Sequence, residues 1–148
     1  MGGNPIAQGV CVLSAGFELD PRLDADTILA KSLGHCELLV MNDARFPWAI
    51  LVPRISGARE LHDLNPETVQ HIWSEVLMVS AAIGRFRRVT KVNIGALGNV
   101  VSQLHIHVVG RHPADLSWPD PVWGHTPRVR YEDGAERELI AHLVDAMA

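Results

Sequence analysis

The sequence predicts a mixed fold in which short antiparallel strands are combined with helices. Two apolar runs, Cys36–Met41 and Ala49–Val52, are separated by a polar connector that contains proline, a pattern typical of paired strands joined by a loop. A second pair is predicted at Lys91–Ile94 and Val101–Val109, because strands this close in sequence pair antiparallel. A periodic apolar stripe that begins after Pro66 predicts one long helix.

Length and composition favour one compact globular domain. A chain of 148 residues is long enough to bury a real core. Hydrophobic residues make up 47% and charged residues 20%, which excludes an intrinsically disordered protein. The formal net charge of -4 gives no support to nucleic-acid binding through a general basic surface. We therefore expect no nucleic-acid polymer as a partner.

The cysteine count and the N-terminus indicate where the protein works. Cys11 and Cys36 are too few for a disulfide framework or a cysteine zinc cluster, which favours a reducing compartment. No apolar run approaches the roughly 20 residues that a membrane span needs. Residues 1–5 lack the features of a signal peptide, and Ile6 breaks the myristoylation pattern. We expect a cytoplasmic protein with no membrane partner.

Two elements are predicted before the first apolar pair. Phe17–Pro21 is predicted as a strand that ends in a turn. Asp26–Leu33 is predicted as a short helix, since Asp24 or Asp26 can cap its start and Gly34 can close its end.

The long helix has clear start signals and is predicted over about residues 66–86. Asn65 is a good N-cap, and Pro66 fits the first helical position because its missing N–H costs nothing there. Glu67 then lies favourably near the positive end of the helix dipole. The residues predicted to form its buried stripe are Val69, Ile72, Trp73, Val76, Ser80 and Ile83.

The last part of the chain is predicted to form a loop and a C-terminal helix. Trp118–Gly124 is too rich in proline for a central strand and is interpreted as an ordered loop pinned by its tryptophans. The helix follows from apolar residues at helical spacing, namely Leu139, Ile140, Leu143, Val144 and Met147.

The run Gln103–Val109 carries the strongest functional signal, because polar and apolar residues alternate strictly along it. On a strand, Gln103, His105 and His107 would share one face, and the apolar residues between them would enter the core. A neutral imidazole is a competent nucleophile toward phosphorus, and its adduct is labile enough to hydrolyse. Such a site requires a fixed ring tautomer and neighbouring donors that stabilise charge on the phosphorus oxygens.

The alternation by itself leaves other roles open. A histidine on a strand can serve packing alone, and His105 with His107 could bind a divalent metal. The strand offers no obvious carboxylate or third histidine to complete a transition-metal shell.

A family resemblance bears on these alternatives. Gln103–Val109 resembles the signature of the histidine triad (HIT) family, His-φ-His-φ-His-φ-φ with φ apolar, except that Gln replaces the first His. Met41–Trp48 is similar to a bacterial branch of HIT-like proteins that carries Gln at this position. The resemblance covers about residues 15–112. Further segments in the family's order and approximate spacing are Pro47–Arg54, the helix from Pro66, and the strand and glycine loop with Asn93 and Asn99.

The resemblance implies an α+β fold with a five-stranded antiparallel sheet and packed helices. It implies a single HIT-like domain over residues 1–148, with a core at about 15–112 and a C-terminal loop and helix at 113–148. A homodimer in which the sheets of the two subunits join is also implied. No cofactor is expected.

The activity that the resemblance implies is hydrolysis or nucleotidyl transfer at the α-phosphate of a nucleotide conjugate. The conjugate would be of the phosphoramidate or dinucleoside polyphosphate type, and the reaction would pass through a covalent nucleotidyl-histidine. The alternative is a catalytically weak or inactive nucleotide-binding regulatory protein.

Residue roles follow from the same resemblance. His105 matches the family's nucleophile, and His107 matches the histidine that contacts the phosphate. Gln103 takes the place of the first histidine; it can donate or accept a hydrogen bond but cannot titrate near neutral pH. If the first histidine mainly organises the strand, Gln103 can replace it. If it tunes the proton inventory, turnover should be slower or shifted in pH.

The implied nucleotide pocket extends beyond the triad. Asn93 and Asn99 match positions on the phosphate side. Val100 occupies a position that is Ser or Thr in most of the family, so a hydroxyl contact to the phosphate is lost. Asn42 or Asp43 lies where the family places a residue that binds the ribose.

Several other residues carry weaker signals. Leu39 and Met41 could line the base pocket or belong to the core. His112 could approach a phosphate. Trp118 and Trp123 could stack on a base, although pinning the loop or a dimer interface is the preferred interpretation. The remaining histidines interpreted as surface or helix residues are His35, His62 and His71.

Overall fold

The structure is a computed structural model that describes residues 16–125 and 127–148. Within these residues, five antiparallel strands form one sheet in the order β1-β2-β3-β5-β4. The α+β fold with a five-stranded antiparallel sheet and packed helices is thereby confirmed. The elements are α1 (Pro21–Asp26), β1 (Thr27–Ser32), β2 (Cys36–Met41), β3 (Trp48–Pro53), α2 (Pro66–Gly84), β4 (Lys91–Gly95), β5 (Ile106–Arg111) and α3 (Arg137–Ala146), with a short 3₁₀ turn at Leu61–Asp63.

The sheet is covered on both faces, which explains why β3 is apolar without alternation. Every residue of β3 is buried. Ala49 and Leu51 face a cluster that includes apolar residues of α2 and α3. Trp48, Ile50 and Val52 face a second cluster on the opposite side of the sheet. A strand buried on both faces requires apolar side chains in both directions.

Both predictions for the segment before β2 are wrong. No strand forms at Phe17–Pro21; instead the Asp20 carboxylate accepts a hydrogen bond from the Arg22 backbone N–H and caps α1, with Pro21 at its first position. The helix predicted at Asp26–Leu33 is the edge strand β1, in which Ile28 pairs with Val40. Pairing with the apolar strand β2 outweighed the local helix signals, because a short segment takes the conformation that its tertiary neighbours can satisfy.

Strands β2 and β3 confirm the pairing predicted from the first two apolar runs. They are antiparallel, and the register places Cys36 opposite Pro53 and Val40 opposite Ala49. The polar connector between them contains Asp43 and Arg45, whose side chains are held together by hydrogen bonds.

The long helix is confirmed, and its buried face is shifted from the predicted stripe. Asn65 caps α2, since its side-chain oxygen accepts a 2.8 Å hydrogen bond from the Thr68 N–H. Val69, Trp73 and Ser80 are only partly buried. The face that packs inward consists of Thr68, Ile72, Glu75, Val76, Val79, Ala82 and Ile83.

The strand predicted at Val101–Val109 begins later, at Ile106, and continues to Arg111 as β5. At the beginning of β5, Ile106 pairs with Leu51 of β3, and His107 pairs with Gly95 of β4. Strand β4 ends at Gly95, opposite His107, and the ladder with β3 begins at the Ile106–Leu51 pair, although β3 itself continues to Pro53. Leu104 donates its backbone N–H to the Ala58 carbonyl instead, so Gln103 and His105 lie outside the ladder.

The C-terminal helix is confirmed as α3, with Leu139 and Leu143 buried. Trp118–Gly124 forms turns and no regular element. Arg111, at the end of β5, holds the segment after the sheet through hydrogen bonds to the Asp115 carboxylate and the Asp120 carbonyl. In the part of the chain that the structure describes, no helix has the length and apolar character needed to cross a membrane.

Candidate functional site

A cavity of about 480 Å³ lies on the sheet face opposite α2 and α3. Its apolar wall comes from distant parts of the chain: Leu23, Met41, Trp48, Val101, Val122 and Trp123. Its polar side chains are Arg22, Asp26, Asp43, Arg45, Asn99, His105, His107, His125 and Arg128. A concave, mostly apolar site with a few convergent polar groups is the usual form of a small-molecule pocket.

His105 lies immediately before β5, and its ring is held by a hydrogen bond to the backbone. Its Nδ1 lies 2.7 Å from the carbonyl oxygen of Gln103. A carbonyl oxygen can only accept, so Nδ1 must carry a proton, and in the neutral ring Nε2 then carries the lone pair. This is the tautomer that a nucleophilic histidine needs.

His107 is held in a matching tautomer by a different neighbour. The indole N–H of Trp48 donates to Nδ1 of His107 over 3.0 Å, so the proton of a neutral His107 lies on Nε2. Burial, together with a smaller electrostatic effect of the nearby His105, lowers the pKa of His107 from 6.5 to about 3. His107 is therefore a neutral N–H donor at physiological pH. The centroids of the two imidazole rings are 4.9 Å apart.

The side chain of Gln103 contacts the segment that precedes α1. Its Oε1 accepts a 2.8 Å hydrogen bond from the Asp20 N–H, and its Nε2 donates a 2.8 Å hydrogen bond to the Glu18 carbonyl. Gln103 thus touches His105 through its backbone carbonyl and the N-terminal segment through its amide.

The two asparagines predicted on the phosphate side lie in different surroundings. Asn99 is exposed and lines the cavity beside Val100. Asn93 is on β4, where its amide oxygen accepts a 2.8 Å hydrogen bond from the buried Arg111 guanidinium. This contact ties β4 to the end of β5.

The two candidates for the ribose position also differ. Asp43 is buried in the cavity wall, and Arg45 binds its carboxylate through Nε and Nη2. Burial alone would raise the pKa of Asp43, but hydrogen bonds from Arg45 outweigh burial and hold that pKa below its usual value. Asn42 uses its amide oxygen to accept from the Tyr131 N–H at 2.9 Å.

Several wall residues carry no local sequence motif and were not identified from the sequence. Arg22, Arg45 and Arg128 surround the cavity, and Trp48 orients His107. Arg128 is paired with Asp26 at 2.7 Å, across more than one hundred positions of sequence. Sequence periodicity cannot predict such a pair, because the two residues meet only in the folded chain.

The weaker candidates are divided between core, cavity and loop. Leu39 is buried in the second core cluster, whereas Met41 lines the cavity. Trp123 also lines the cavity and packs edge-on against His107 at 5.5 Å. Trp118 lies 5.8 Å from the guanidinium of Arg111 and so helps to pin its loop. His112 accepts a hydrogen bond from the Ala114 N–H.

The described ranges contain no group of three or more His, Cys, Asp or Glu side chains arranged to hold a metal ion.

Comparison with known proteins identifies a domain and several solved relatives. Residues 23–114 match the HIT domain. The chain is 38% identical to a histidine triad (HIT) protein of Sinorhizobium meliloti, with a TM-score of 0.86 over 88% of this chain and 97% of that one. It is 40% identical to a histidine triad protein of Marinobacter aquaeolei, with a TM-score of 0.85 over 88% and 96%.

A histidine triad protein of Bradyrhizobium japonicum is 36% identical, with a TM-score of 0.86 over 89% of this chain and 98% of that one. No curated protein matches the chain significantly. The match to the HIT domain ends before Val122, Trp123, His125 and Arg128, so part of the cavity wall comes from outside the matched residues.

Proposed function

The chain belongs to the histidine triad family, and we propose that it is a nucleotide-binding hydrolase or nucleotidyl transferase. Its substrate would be a nucleotide conjugate of the phosphoramidate or dinucleoside polyphosphate type, attacked at the α-phosphate. The observation that carries the proposal is the pair of complementary tautomers: His105 presents a lone pair on Nε2, and His107 presents an N–H on Nε2.

In the proposed reaction, the α-phosphate lies between His107 and the loop that contains Asn99. Nε2 of His105 attacks phosphorus, the bond from phosphorus to the leaving group breaks, and the leaving group departs with a proton taken from solvent. The Nε2–H of His107 donates to a phosphate oxygen and stabilises the charge that develops there. Water then cleaves the phosphorus–nitrogen bond, which releases the nucleoside monophosphate and restores His105.

The backbone carbonyl of Gln103 supports the intermediate in this scheme. A histidine that carries a nucleotidyl group on Nε2 is positively charged while Nδ1 keeps its proton. The carbonyl at 2.7 Å accepts a hydrogen bond from that Nδ1–H and stabilises the charged ring. This contact does not depend on which side chain stands at position 103, so replacing the first histidine of the triad with glutamine leaves it intact.

Asp43 is the better of the two candidates for the ribose, because it lines the cavity and Asn42 is engaged with Tyr131. A ribose hydroxyl would donate to the Asp43 carboxylate beside Arg45. Met41 and the tryptophans of the wall would contact the base, where apolar and aromatic surfaces suit a heterocycle.

Assembly as a cytoplasmic homodimer is part of the proposal. Strand β4 forms one edge of the sheet, and Ile94 on it is 39% exposed. An exposed apolar edge is suited to pairing with a second sheet. Light scattering that returned the mass of a single chain at micromolar concentration would contradict the dimer.

The test of the reaction is substitution of the nucleophile. AMP-lysine and diadenosine polyphosphates are mixed with wild type and with His105→Ala, and release of AMP is followed. We expect the variant to lose at least a thousandfold in turnover, because the group proposed to form the covalent intermediate is removed. His71→Ala, on the exposed face of α2, serves as the matched control and should keep wild-type rates. Equal rates for wild type and His105→Ala would overturn the role of His105.

A nucleotide-binding regulator is the second candidate, and the observation that favours it is Val100. This residue is 79% exposed beside Asn99 and offers no hydroxyl to a phosphate. The regulator predicts that calorimetry detects binding of AMP or GMP while no substrate in a broad panel is turned over.

A further inference from the structure

We propose that Arg22 is a phosphate-binding residue of this site and that Gln103 positions it. The inference rests on the proposed nucleotide-binding function and adds a residue that lies just before the matched domain, which begins at residue 23. It also assigns Gln103 a positioning role that a histidine at this place could not fill.

The amide of Gln103 fits one short piece of extended backbone. It accepts from the N–H of Asp20 and donates to the carbonyl of Glu18, both at 2.8 Å. The carbonyl of residue i and the N–H of residue i+2 lie on the same edge of an extended chain, so a carboxamide with adjacent O and NH₂ can bind both. The two nitrogens of an imidazole diverge from the ring, so a histidine cannot bind both in this way.

The segment that Gln103 binds, residues 18–20, in turn holds the side chain of Arg22. Asp20 accepts hydrogen bonds from Nε and Nη2 of Arg22, both at 3.2 Å, and so fixes the plane of the guanidinium. Nη1 of Arg22 donates to the carbonyl of Val100 at 3.0 Å. The chain of contacts therefore leads from Gln103 through Asp20 to Arg22, and from Arg22 to the loop beside Asn99.

Arg22 retains donors that a ligand can use. Among the described residues, these bonds occupy three of the five N–H groups of the guanidinium, which leaves two. The side chain is 58% exposed and lines the same cavity as His105 and His107. A guanidinium held in a fixed plane is well suited to bind phosphate oxygens through paired hydrogen bonds.

Arg22 lies where it can replace the hydroxyl contact to the phosphate that Val100 cannot make. Its guanidinium binds the backbone of Val100, the residue that lacks a hydroxyl. The hydrogen bonds from Arg22 hold the pKa of Asp20 below its usual value, and His105 contributes a smaller electrostatic lowering. Asp20 and Arg22 thus lie within electrostatic range of the nucleophile, where a phosphate is expected.

The test measures the part of the binding energy that belongs to the phosphate. Calorimetry compares AMP with adenosine, and GMP with guanosine, for wild type, Arg22→Ala and Arg22→Lys. We expect Arg22→Ala to weaken nucleotide binding about tenfold and to leave nucleoside binding unchanged, since a charge-assisted hydrogen bond is lost. Arg22→Lys should recover only part of the loss, because a lysine cannot bind Asp20 and a phosphate through a planar fork. Arg85→Ala, at the end of α2, is the matched control.

The outcomes separate the two levels of the proposal. If wild type binds nucleotides and Arg22→Ala binds them equally well, Arg22 has no phosphate role and the proposed function stands. If Arg22→Ala weakens nucleotide and nucleoside binding alike, its role is structural and the inference is overturned. A wild type that binds neither AMP nor GMP overturns the proposed function and the inference together.

A second arm tests the positioning role of Gln103. Gln103→His should weaken nucleotide binding about as much as Arg22→Ala does, and the double variant should be no worse than either single variant. Circular dichroism spectra that match wild type would show that the fold is retained. Additive losses in the double variant would contradict a shared path through Asp20.

Discussion

The two histidines of the site differ because their hydrogen-bond partners differ. A carbonyl oxygen faces Nδ1 of His105, and an indole N–H faces Nδ1 of His107. An acceptor holds a proton on the nitrogen that it faces, and a donor keeps one off. Two adjacent imidazoles therefore present opposite groups on Nε2, one with a lone pair and one with a proton.

Trp48 should matter for turnover more than for binding. In Trp48→Phe the ring can still pack against Phe46, but the N–H that orients His107 is lost. We expect kcat to fall about fivefold to tenfold, the value of one hydrogen bond of roughly 1 kcal/mol, with KM little changed. Steady-state kinetics on the best substrate checks this. A change confined to KM would contradict the orienting role.

At the scale of elements, the carboxylate of Glu75 links α2 to the hairpin of β1 and β2. Glu75 is buried on the inward face of the helix and accepts from the N–H groups of His35 and Cys36, at 2.7 and 2.9 Å. These N–H groups belong to the turn and strand start of the β1–β2 hairpin. Glu75 therefore fixes the hairpin against the helix, a role that apolar periodicity cannot reveal.

Removal of this carboxylate should destabilise the fold. Glu75→Ala leaves two backbone N–H groups without their acceptor, and we expect the free energy of unfolding to fall by about 2–3 kcal/mol. Chemical denaturation followed by circular dichroism measures the loss. Glu67→Ala, on the exposed first turn of the same helix, should cost under about 1 kcal/mol. Equal losses for the two variants would contradict the joining role of Glu75.

At the scale of the whole molecule, the cavity depends on how the C-terminal segment is anchored. Arg111 and Asp115 form an ion pair whose side chains are each 2% exposed. The pair fixes the chain as it leaves β5, and the residues that follow supply Val122, Trp123 and Arg128 to the cavity wall. A buried charge that loses its partner is strongly destabilising.

The ion pair predicts a pH dependence of stability. Burial alone would raise the pKa of Asp115, but hydrogen bonds from Arg111 and from backbone N–H groups lower it from 3.8 to about 2. The stabilisation is therefore complete above pH 3.8 and is lost as the pH falls through about 2. We expect Asp115→Asn to cost about 3 kcal/mol at pH 6. That difference from wild type should shrink between about pH 4 and pH 2.

Urea denaturation at a series of pH values measures this difference. Asp120→Asn provides the control, because Arg111 binds the backbone carbonyl of Asp120 and the residue is exposed. A difference between wild type and Asp115→Asn that stays constant down to pH 2 would rule out the ionised pair as its source.

The main elements could be predicted from the sequence because their signals are local. The N-cap Asn65 with Pro66 marks the start of α2, and the apolar runs mark β2 and β3. The residues 26–33 could not be assigned correctly, because β1 exists through its pairing with β2 and has no strong pattern of its own. The start of the triad strand was misplaced for a similar reason, since it depends on where pairing with β3 and β4 begins.

The same distinction between local and long-range information applies to the candidate site. The sequence by itself determined the family signature and singled out His105 and His107, since residue identity and order are sufficient for both. Only the tertiary structure decided which nitrogen of each ring carries a proton, that the Gln103 amide binds Glu18 and Asp20, and that Arg22 and Arg128 reach the cavity. Hydrogen-bond partners distant in sequence set these properties, and such partners meet only when the chain is folded.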